Sequence, residues 1–224
     1  MKIALIGYGK MGHAVESYAR RQGHEVVCTI DRDEPWPDHI EADVAVEFST
    51  PQTAVANLLR CFERRLPVVC GTTGWYDRYD EVCAECRRLG GSLLSATNFS
   101  LGMNIMFMVN EYLATLMSGS AYRAAISETH HIHKLDAPSG TAITLQQQIV
   151  EHGRRKADEV PIASYREGEV PGTHTVTYDS PIDTISLTHE AHSREGLAQG
   201  AVVAAEWLAK AKAGVYTMKD VLAV

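Results

Sequence analysis

The 224 residues are 45% hydrophobic and 22% charged, with a formal net charge of −7, an ordinary balance for a chain with a real core. The acidic excess argues against nucleic acid or an anionic membrane surface as partner, and no apolar run approaches the ~20 residues of a membrane span. An odd count of cysteines, with an apolar start too short for a secretion signal, reads as reduced thiols in a cytoplasmic protein. Cys83-Ala-Glu-Cys86 has redox or zinc spacing, but no second pair accompanies it and it falls in a charged helical pattern.

Lys2 to Ile6 predicts a short apolar strand, followed at once by Gly7-Tyr8-Gly9-Lys10-Met11-Gly12. A helical run over His13 to Gln22 comes next, then a second apolar strand, Glu25 to Ile30, ending in Asp31. Strand, glycine turn, helix, strand and acid in this order form the dinucleotide-binding arrangement. The first glycine permits the tight turn, the second lets a pyrophosphate approach the backbone, and the third lets helix and strand pack closely. Asp31 stands about twenty residues past the turn, where a carboxylate accepts from ribose hydroxyls. Arg32 follows it, and a guanidinium there suits the extra phosphate of NADP, so NADH and NADPH both stay open.

A third apolar strand, Asp43 to Phe48, closes with Ser49-Thr50-Pro51, where Thr50 caps a helix that Pro51 begins. The fourth strand, Leu66 to Cys70, runs into Gly71-Thr72-Thr73-Gly74-Trp75, and the fifth, Ser92 to Ala96, into Thr97-Asn98-Phe99-Ser100. Small and hydroxylated residues at the carboxyl ends of parallel strands are where doubly wound sheets bind ligands, although a plain loop has the same composition. Met103 to Met117 is an apolar helix whose Met-rich stripe reads as packing.

A strand over Tyr122 to Ser127 leads into Glu128-Thr-His-His-Ile-His-Lys-Leu-Asp-Ala-Pro-Ser-Gly-Thr-Ala142. His130, His131, His133 and Lys134 can donate or shuttle protons near neutral pH. Ser139-Gly140-Thr141 opens a helix whose first N–H groups make a seat for an anion. A proton donor beside a carboxylate seat suits chemistry on a small acidic molecule. On an extended segment His131 and His133 share one face and His130 takes the other. Zinc is an alternative that the charge of Lys134 disfavours, so no metal is expected, and a solvated capping turn is the plainest alternative.

Ala142 to Lys156 predicts a helix, with Arg154-Arg155-Lys156 at its negative end. His174 to Tyr178 and Thr184 to Thr188 alternate as half-buried strands do. His189 to Arg194 is a polar return, and Glu195 to Ala211 is an amphipathic helix anchored on the first domain by Leu197, Val202 and Leu208. The expected architecture is α/β. A Rossmann-type doubly wound parallel sheet, residues 1–101 and 194–224, forms a dinucleotide-binding domain. An inserted α+β domain, residues 102–193, has an open mixed sheet plus one long helix, binds substrate, and has an exposed sheet face suited to symmetric association.

The stretch from Glu128 to Ala142 is close to the signature of the dihydrodipicolinate reductases, also called 4-hydroxy-tetrahydrodipicolinate reductases, of bacterial lysine biosynthesis. Gly7 to Gly12, Gly71 to Gly74, Asn98-Phe99-Ser100 and Met218-Lys219-Asp220-Val221-Leu222 occur in that family's order, so the sequence resembles it along essentially the whole chain. The resemblance implies NADPH- or NADH-dependent reduction of 4-hydroxy-tetrahydrodipicolinate, a small dicarboxylate, to tetrahydrodipicolinate with loss of water. It also implies a homotetramer joined through the sheet of the second domain. By the same resemblance His130 and Lys134 are the proton-donating pair, and His131, Ser139, Gly140 and Thr141 hold the substrate. The cofactor would meet Gly7, Gly9, Lys10, Met11, Gly12, Asp31, Arg32, Phe48, Gly71, Thr72, Thr73, Ala96, Thr97, Asn98 and Phe99. The chain is shorter than many members, its glycine turn has one residue fewer than in some, and Thr97 stands where proline is frequent. An amino-acid dehydrogenase of the same architecture would share the glycine turn and Asp31 without needing the histidine-lysine stretch. A nucleotide sensor would bind NADH without oxidising it.

Overall fold

The computed structural model describes every residue except Asp33, Arg194 and Val224. It divides into two compact units, Met1–Leu101 with Glu195–Val224, and Gly102–Arg194. Arg194, where the sequence reading places the return to the first domain, lies outside the described residues. The chain runs through β1 (Lys2–Ile6), α1 (Lys10–Arg21), β2 (Glu25–Ile30), β3 (Val44–Glu47), α2 (Pro51–Glu63), β4 (Val68–Cys70), α3 (Tyr79–Leu89) and β5 (Ser92–Ser95). Then come α4 (Leu101–Leu116), β6 (Arg123–His130), α5 (Gly140–Gly153), β7 (Ile162–Arg166), β8 (Thr173–Asp179) and β9 (Thr184–Glu190). The last elements are α6 (Glu195–Leu208), β10 (Gly214–Tyr216) and α7 (Met218–Leu222).

The first unit holds a six-stranded sheet of order β10-β5-β4-β3-β1-β2, parallel at every pairing. Strands covered on both faces need apolar side chains at successive positions, and β3, β4 and β5 are accordingly buried throughout. One core gathers Val15 and Ala19 of α1 with the small residues Ala198, Ala201, Ala204 and Ala205 of α6. The other gathers Leu58 and Phe62 of α2 with Val82 and Cys86 of α3. Close approach is the reason for the small residues: a Cβ at Gly200 of α6 would lie 1.6 Å from the Phe99 carbonyl oxygen. Val202 and Leu208 anchor α6 as expected, whereas Leu197 is only half-buried. β10 adds an edge strand that the periodicity of the tail does not announce.

The second unit is built on a four-stranded sheet, β7-β6-β8-β9. β6 pairs parallel with β7 and antiparallel with β8, and β8 antiparallel with β9. Ala124, Ile126, Val176 and Tyr178 line its covered face, under Met103, Met106 and Phe107 of α4 and Leu145 and Ile149 of α5. The long helix α5 covers the sheet together with the Met-rich helix α4. Asn110, buried in α4, ties them together by donating to the Leu145 carbonyl at 3.1 Å and to Gln148 Oε1 at 3.0 Å.

Several expectations shift. β6 runs on through His130 instead of stopping near Ser127, because its inward positions Glu128 and His130 find polar partners inside the unit. The chain then turns, so His131 and His133 do not continue a strand. α5 starts at Gly140 and stops at Gly153, and Arg154 takes the left-handed conformation at φ 53° as its C-cap. Arg155 turns back to donate to the Tyr122 carbonyl at 2.8 Å. β9 is largely exposed, as an edge strand is free to be, and β7 carries too little apolar alternation for a pattern reading to find.

Candidate functional site

In the first unit β1 lies between β2 and β3, so successive helices leave in opposite directions and a crevice opens at the carboxyl ends of β1 and β3. The Gly7 N–H donates to the Ile30 carbonyl at 2.8 Å, and Phe48 N–H to the Ile6 carbonyl at 2.8 Å. These bonds draw the ends of three strands into one rim. Gly7 sits at φ +86°, where a Cβ would lie 2.1 Å from the Phe48 carbonyl oxygen, and a Cβ on Gly12 would lie 2.5 Å from the Gly7 carbonyl oxygen. Helix α1 begins beyond Gly9 with no side-chain cap, which leaves its positive N-terminal end to a ligand. Asp31 accepts from the Tyr8 N–H at 3.1 Å. That bond and the Arg32 N–H hold its carboxyl below the usual carboxylate range. A cavity of about 680 Å³ is lined by Gly7, Gly9, Asp31, Arg32 and Phe48 together with Trp36.

The other residues expected here divide. Lys10 and Thr73 are exposed, Met11, Gly71, Ala96 and Asn98 are half-buried, and Thr97 is exposed. Thr72 and Phe99 are buried. The Thr72 hydroxyl accepts from Ser49 N–H at 2.8 Å and its carbonyl from the Trp75 indole at 2.8 Å, so its side chain joins two loops. Phe99 packs in the core, edge-on to Phe48 with ring centroids 5.9 Å apart. Glu47, which the sequence reading missed, is wholly buried below this rim. It accepts from Ser49 Oγ, from Asn57 Nδ2 at 3.3 Å and from Cys70 Sγ at 3.1 Å. The cysteines are all free, and Cys83 and Cys86 are buried.

In the second unit, strand alternation sends Glu128 and His130 to the covered face of β6, and register puts His174 of β8 directly opposite Glu128. Glu128 Oε1 accepts from the Ser139 N–H at 3.0 Å and lies 3.5 Å from Arg166 Nη2. Its Oε2 lies 3.5 Å from His130 Nδ1 and 3.7 Å from His174 Nε2. Burial pushes the Glu128 carboxyl up, but the Ser139 and Ser164 side chains, the Ser139 N–H and His130 outweigh it and hold it below the usual carboxylate range. Ser164 Oγ does this without a well-directed bond. Burial, with the charges of Lys134 and Arg166, pushes His130 below its ordinary value despite Glu128. Burial and His130 lower His174 to about 4, so both rings are neutral at pH 7.

Beyond His130 the chain is tied down from below. Arg166 Nε donates to the Lys134 carbonyl at 3.2 Å, and its Nη2 donates to the Asp136 carbonyl. Lys134 Nζ donates to both Asp136 carboxylate oxygens at 2.9 Å. His131 is half-buried, its ring 5.9 Å from that of His133, which bonds Glu169 at 3.0 Å. Ser139 is buried, and its hydroxyl accepts from Ala142 N–H at 3.2 Å as the N-cap of α5, with His174 Nε2 3.3 Å away. Gly140 is exposed, with nothing within 4 Å of the place a Cβ would take, and Thr141 is half-buried. The start of α5 thus carries Ser139 as its side-chain cap and an exposed Gly140, and a helix start is where an anion can be seated.

Glu128, His130 and His174 each present a ligand atom within 4.8 Å of the others, a donor set that a metal could use. Arg166 already stands 3.5 Å from the same carboxylate, so a dication would face a fixed cation, and the set suits a hydrogen-bonded triad better. Sequence reasoning named Glu128 only as the start of the stretch and gave Arg166 and His174 no part. His174 follows Gly172 in a strand-like segment, and only strand pairing brings it to Glu128.

Two family descriptions match the chain: "Dihydrodipicolinate reductase, C-terminus" over residues 102–222, and "Dihydrodipicolinate reductase, N-terminus" over residues 36–99. The 4-hydroxy-tetrahydrodipicolinate reductase of Christiangramia forsetii is 48% identical, across 99% of this chain and 98% of that protein. The enzyme of the same name from Methanopyrus kandleri is 37% identical, across 81% of this chain and 72% of that protein. Among solved structures, a dipicolinate-bound dihydrodipicolinate reductase from Paenisporosarcina sp. TG-14 superposes with a TM-score of 0.81 at 21% identity, covering 98% of each chain, which speaks for the fold. With one description spanning more than half its length and near-complete alignment to a relative at 48% identity, the chain belongs to the dihydrodipicolinate reductase family.

Proposed function

We infer that this chain catalyses the NADH- or NADPH-dependent reduction of 4-hydroxy-tetrahydrodipicolinate to tetrahydrodipicolinate, with loss of water, in lysine and diaminopimelate biosynthesis. The observation that carries the reading is the pinned loop of the second unit. Lys134 is held between its own Asp136 and Arg166, in the turn that leads to a helix start exposed at Gly140. Family membership supports the same substrate class.

A pyridine nucleotide fits the rim of the first unit. The pyrophosphate belongs against Gly7, Gly9 and Gly12 and the uncapped start of α1, with Lys10 and Met11 on its first turn and Asp31 facing the ribose. Arg32 offers a guanidinium to an added 2′-phosphate, so both nucleotides serve. Phe48, Gly71, Thr73 and the Ala96 to Asn98 run complete the rim, while Thr72 and Phe99 act from beneath it.

Loss of the 4-hydroxyl with a ring proton as water gives a conjugated imine, and a nucleotide held at the rim would supply hydride to its ring carbon. The electron density left on the ring must be protonated, and a positioned acid is typically worth ~10²–10⁴-fold. Lys134 gives that proton and its charge attracts the dianion. His130, kept neutral by burial, is its partner in proton handling. Gly140 and Thr141, at the start of α5, receive one carboxylate with His131, and Ser139 caps the helix below them.

The outward face of the second sheet carries Thr175, Thr177, Ser186 and Thr188, and its edge strand β9 is exposed. Such a face supports assembly as a homotetramer, and the biosynthetic role read here is a cytoplasmic one. Among the described residues no helix is long and apolar enough to cross a membrane. The deciding experiment couples the chain to dihydrodipicolinate synthase and follows NADPH and NADH oxidation in turn. Oxidation dependent on the synthase product is expected with at least one nucleotide. Nucleotide binding without oxidation would make the chain a sensor instead.

A further inference from the structure

The Glu128 carboxylate is wholly buried and its two oxygens do different things. Oε1 is engaged, by the Ser139 N–H at 3.0 Å and the facing Arg166 guanidinium at 3.5 Å. Oε2 has no hydrogen-bond partner among the described residues, and neither has His130 Nδ1. These two atoms face each other at 3.5 Å. Leaving a buried donor and acceptor both unsatisfied is costly, and a small reorientation of the ring would satisfy both. Catalytic hydrogen bonds are commonly long before substrate binds. On the far side of the ring, Gly172 has no side chain, and a Cβ there would lie 3.1 Å from His130 Nε2. The molecule therefore keeps room at one ring nitrogen and places a carboxylate oxygen at the other.

We propose that Glu128 is a positioning residue whose Oε2 takes the Nδ1–H of His130, so that His130 keeps Nε2 as an acceptor, while Oε1 holds Ser139 and with it the start of α5. The role in turnover rests on the reading of the site given above. One buried carboxylate then sets both the tautomer of the proton-handling imidazole and the place of the carboxylate seat. The pattern is that of an imidazole oriented through its second nitrogen by a carboxylate. His174 closes the network from β8, its Nε2 lying between Ser139 Oγ at 3.3 Å and Glu128 Oε2 at 3.7 Å.

Glu128→Gln separates this role from simple support. The amide oxygen can still accept from Ser139 N–H, but the amide nitrogen then faces His130 Nδ1 and donates to it, which forces the opposite tautomer, Nε2–H. Histidine ¹⁵N NMR of the full chain should report Nδ1–H at His130 in the wild type and Nε2–H in Glu128→Gln. The variant's kcat should fall at least about a hundredfold, with nucleotide affinity unchanged. Glu128→Asp, which keeps the carboxylate, should retain the wild-type tautomer and recover part of the loss.

An Nε2–H wild type, or a His130 tautomer unmoved in Glu128→Gln, would overturn the proposal. So would equal losses in both variants accompanied only by a lowered melting temperature, since that is the mark of a structural role. The tautomer is read without turnover. A wild type inactive on the dihydrodipicolinate synthase product would therefore defeat the functional reading while leaving the NMR result for Glu128 intact.

Discussion

The nucleotide rim of the first unit and the histidine-lysine loop of the second are made in opposite ways. The rim works by leaving side chains out: Gly7 and Gly12 stand where a Cβ would strike backbone within 2.5 Å, and α1 begins without a cap. The loop works by burying charge and imidazole, with Glu128, His130 and His174 set together by strand register and Arg166 bracing the turn from β7. A site made of missing side chains should fail when atoms are added. One made of buried polar groups should fail when a single group is removed, because its partners are left unpaired.

The largest effect expected is at Lys134. Lys134→Ala should lower kcat at least about a hundredfold while NADPH and NADH still bind, which steady-state kinetics and a fluorescence titration measure together. Near-normal turnover would remove the loop from the chemistry and end the contrast.

Next comes acid sensitivity, which should belong to the second unit. Burial holds His174 at about 4 against an ordinary 6.5, so between those values the unfolded chain takes up a proton that the folded chain refuses. That contribution to stability is lost as pH falls from 6.5 towards 4, by about 3 kcal/mol, and above 6.5 it does not vary. Thermal melts from pH 7 to pH 4.5 should show a shallower decline in His174→Gln than in the wild type, and parallel curves would count against a neutral buried ring.

Gly7→Ala tests the opposite construction. The added methyl group at φ +86° should cost about 1–3 kcal/mol of strain and weaken both nucleotides at least about tenfold, as read by titration, while the second unit's His130 resonances stay in place. Undiminished affinity would mean that the cradle is not where the pyrophosphate sits.

The smallest effect separates seat from cap. Thr141→Val should raise KM for the dicarboxylate a few-fold by removing one hydroxyl from the start of α5, with nucleotide affinity unchanged. An unmoved KM would leave the seat to backbone N–H groups alone.

How much of this was legible in the chain follows from the same contrast. Gly7, Gly9, Gly12 and Asp31 can be read in order because the strand, turn, helix and strand that present them are consecutive, and their spacing is the geometry. The histidine-lysine stretch and the helix cap at Ser139 are also local, and so was the family they resemble. Buried status was not legible. Thr72 and Phe99 look like rim residues but are buried, Thr72 bonded to the Ser49 loop and Phe99 packed in the core. The meeting of Glu128 with His174, 46 positions later in the numbering, depends on antiparallel pairing of β6 with β8. The bracing by Arg166 depends on the parallel pairing with β7, a strand whose side chains lack the alternation that would betray it. By itself the sequence determined the local devices, the glycine turn, the cap and the cluster of imidazoles, since each needs only neighbours along the chain. Tertiary structure alone decided which of those imidazoles is dry, neutral and faced by a carboxylate, because desolvation and pairing are properties of the strands packed across from it.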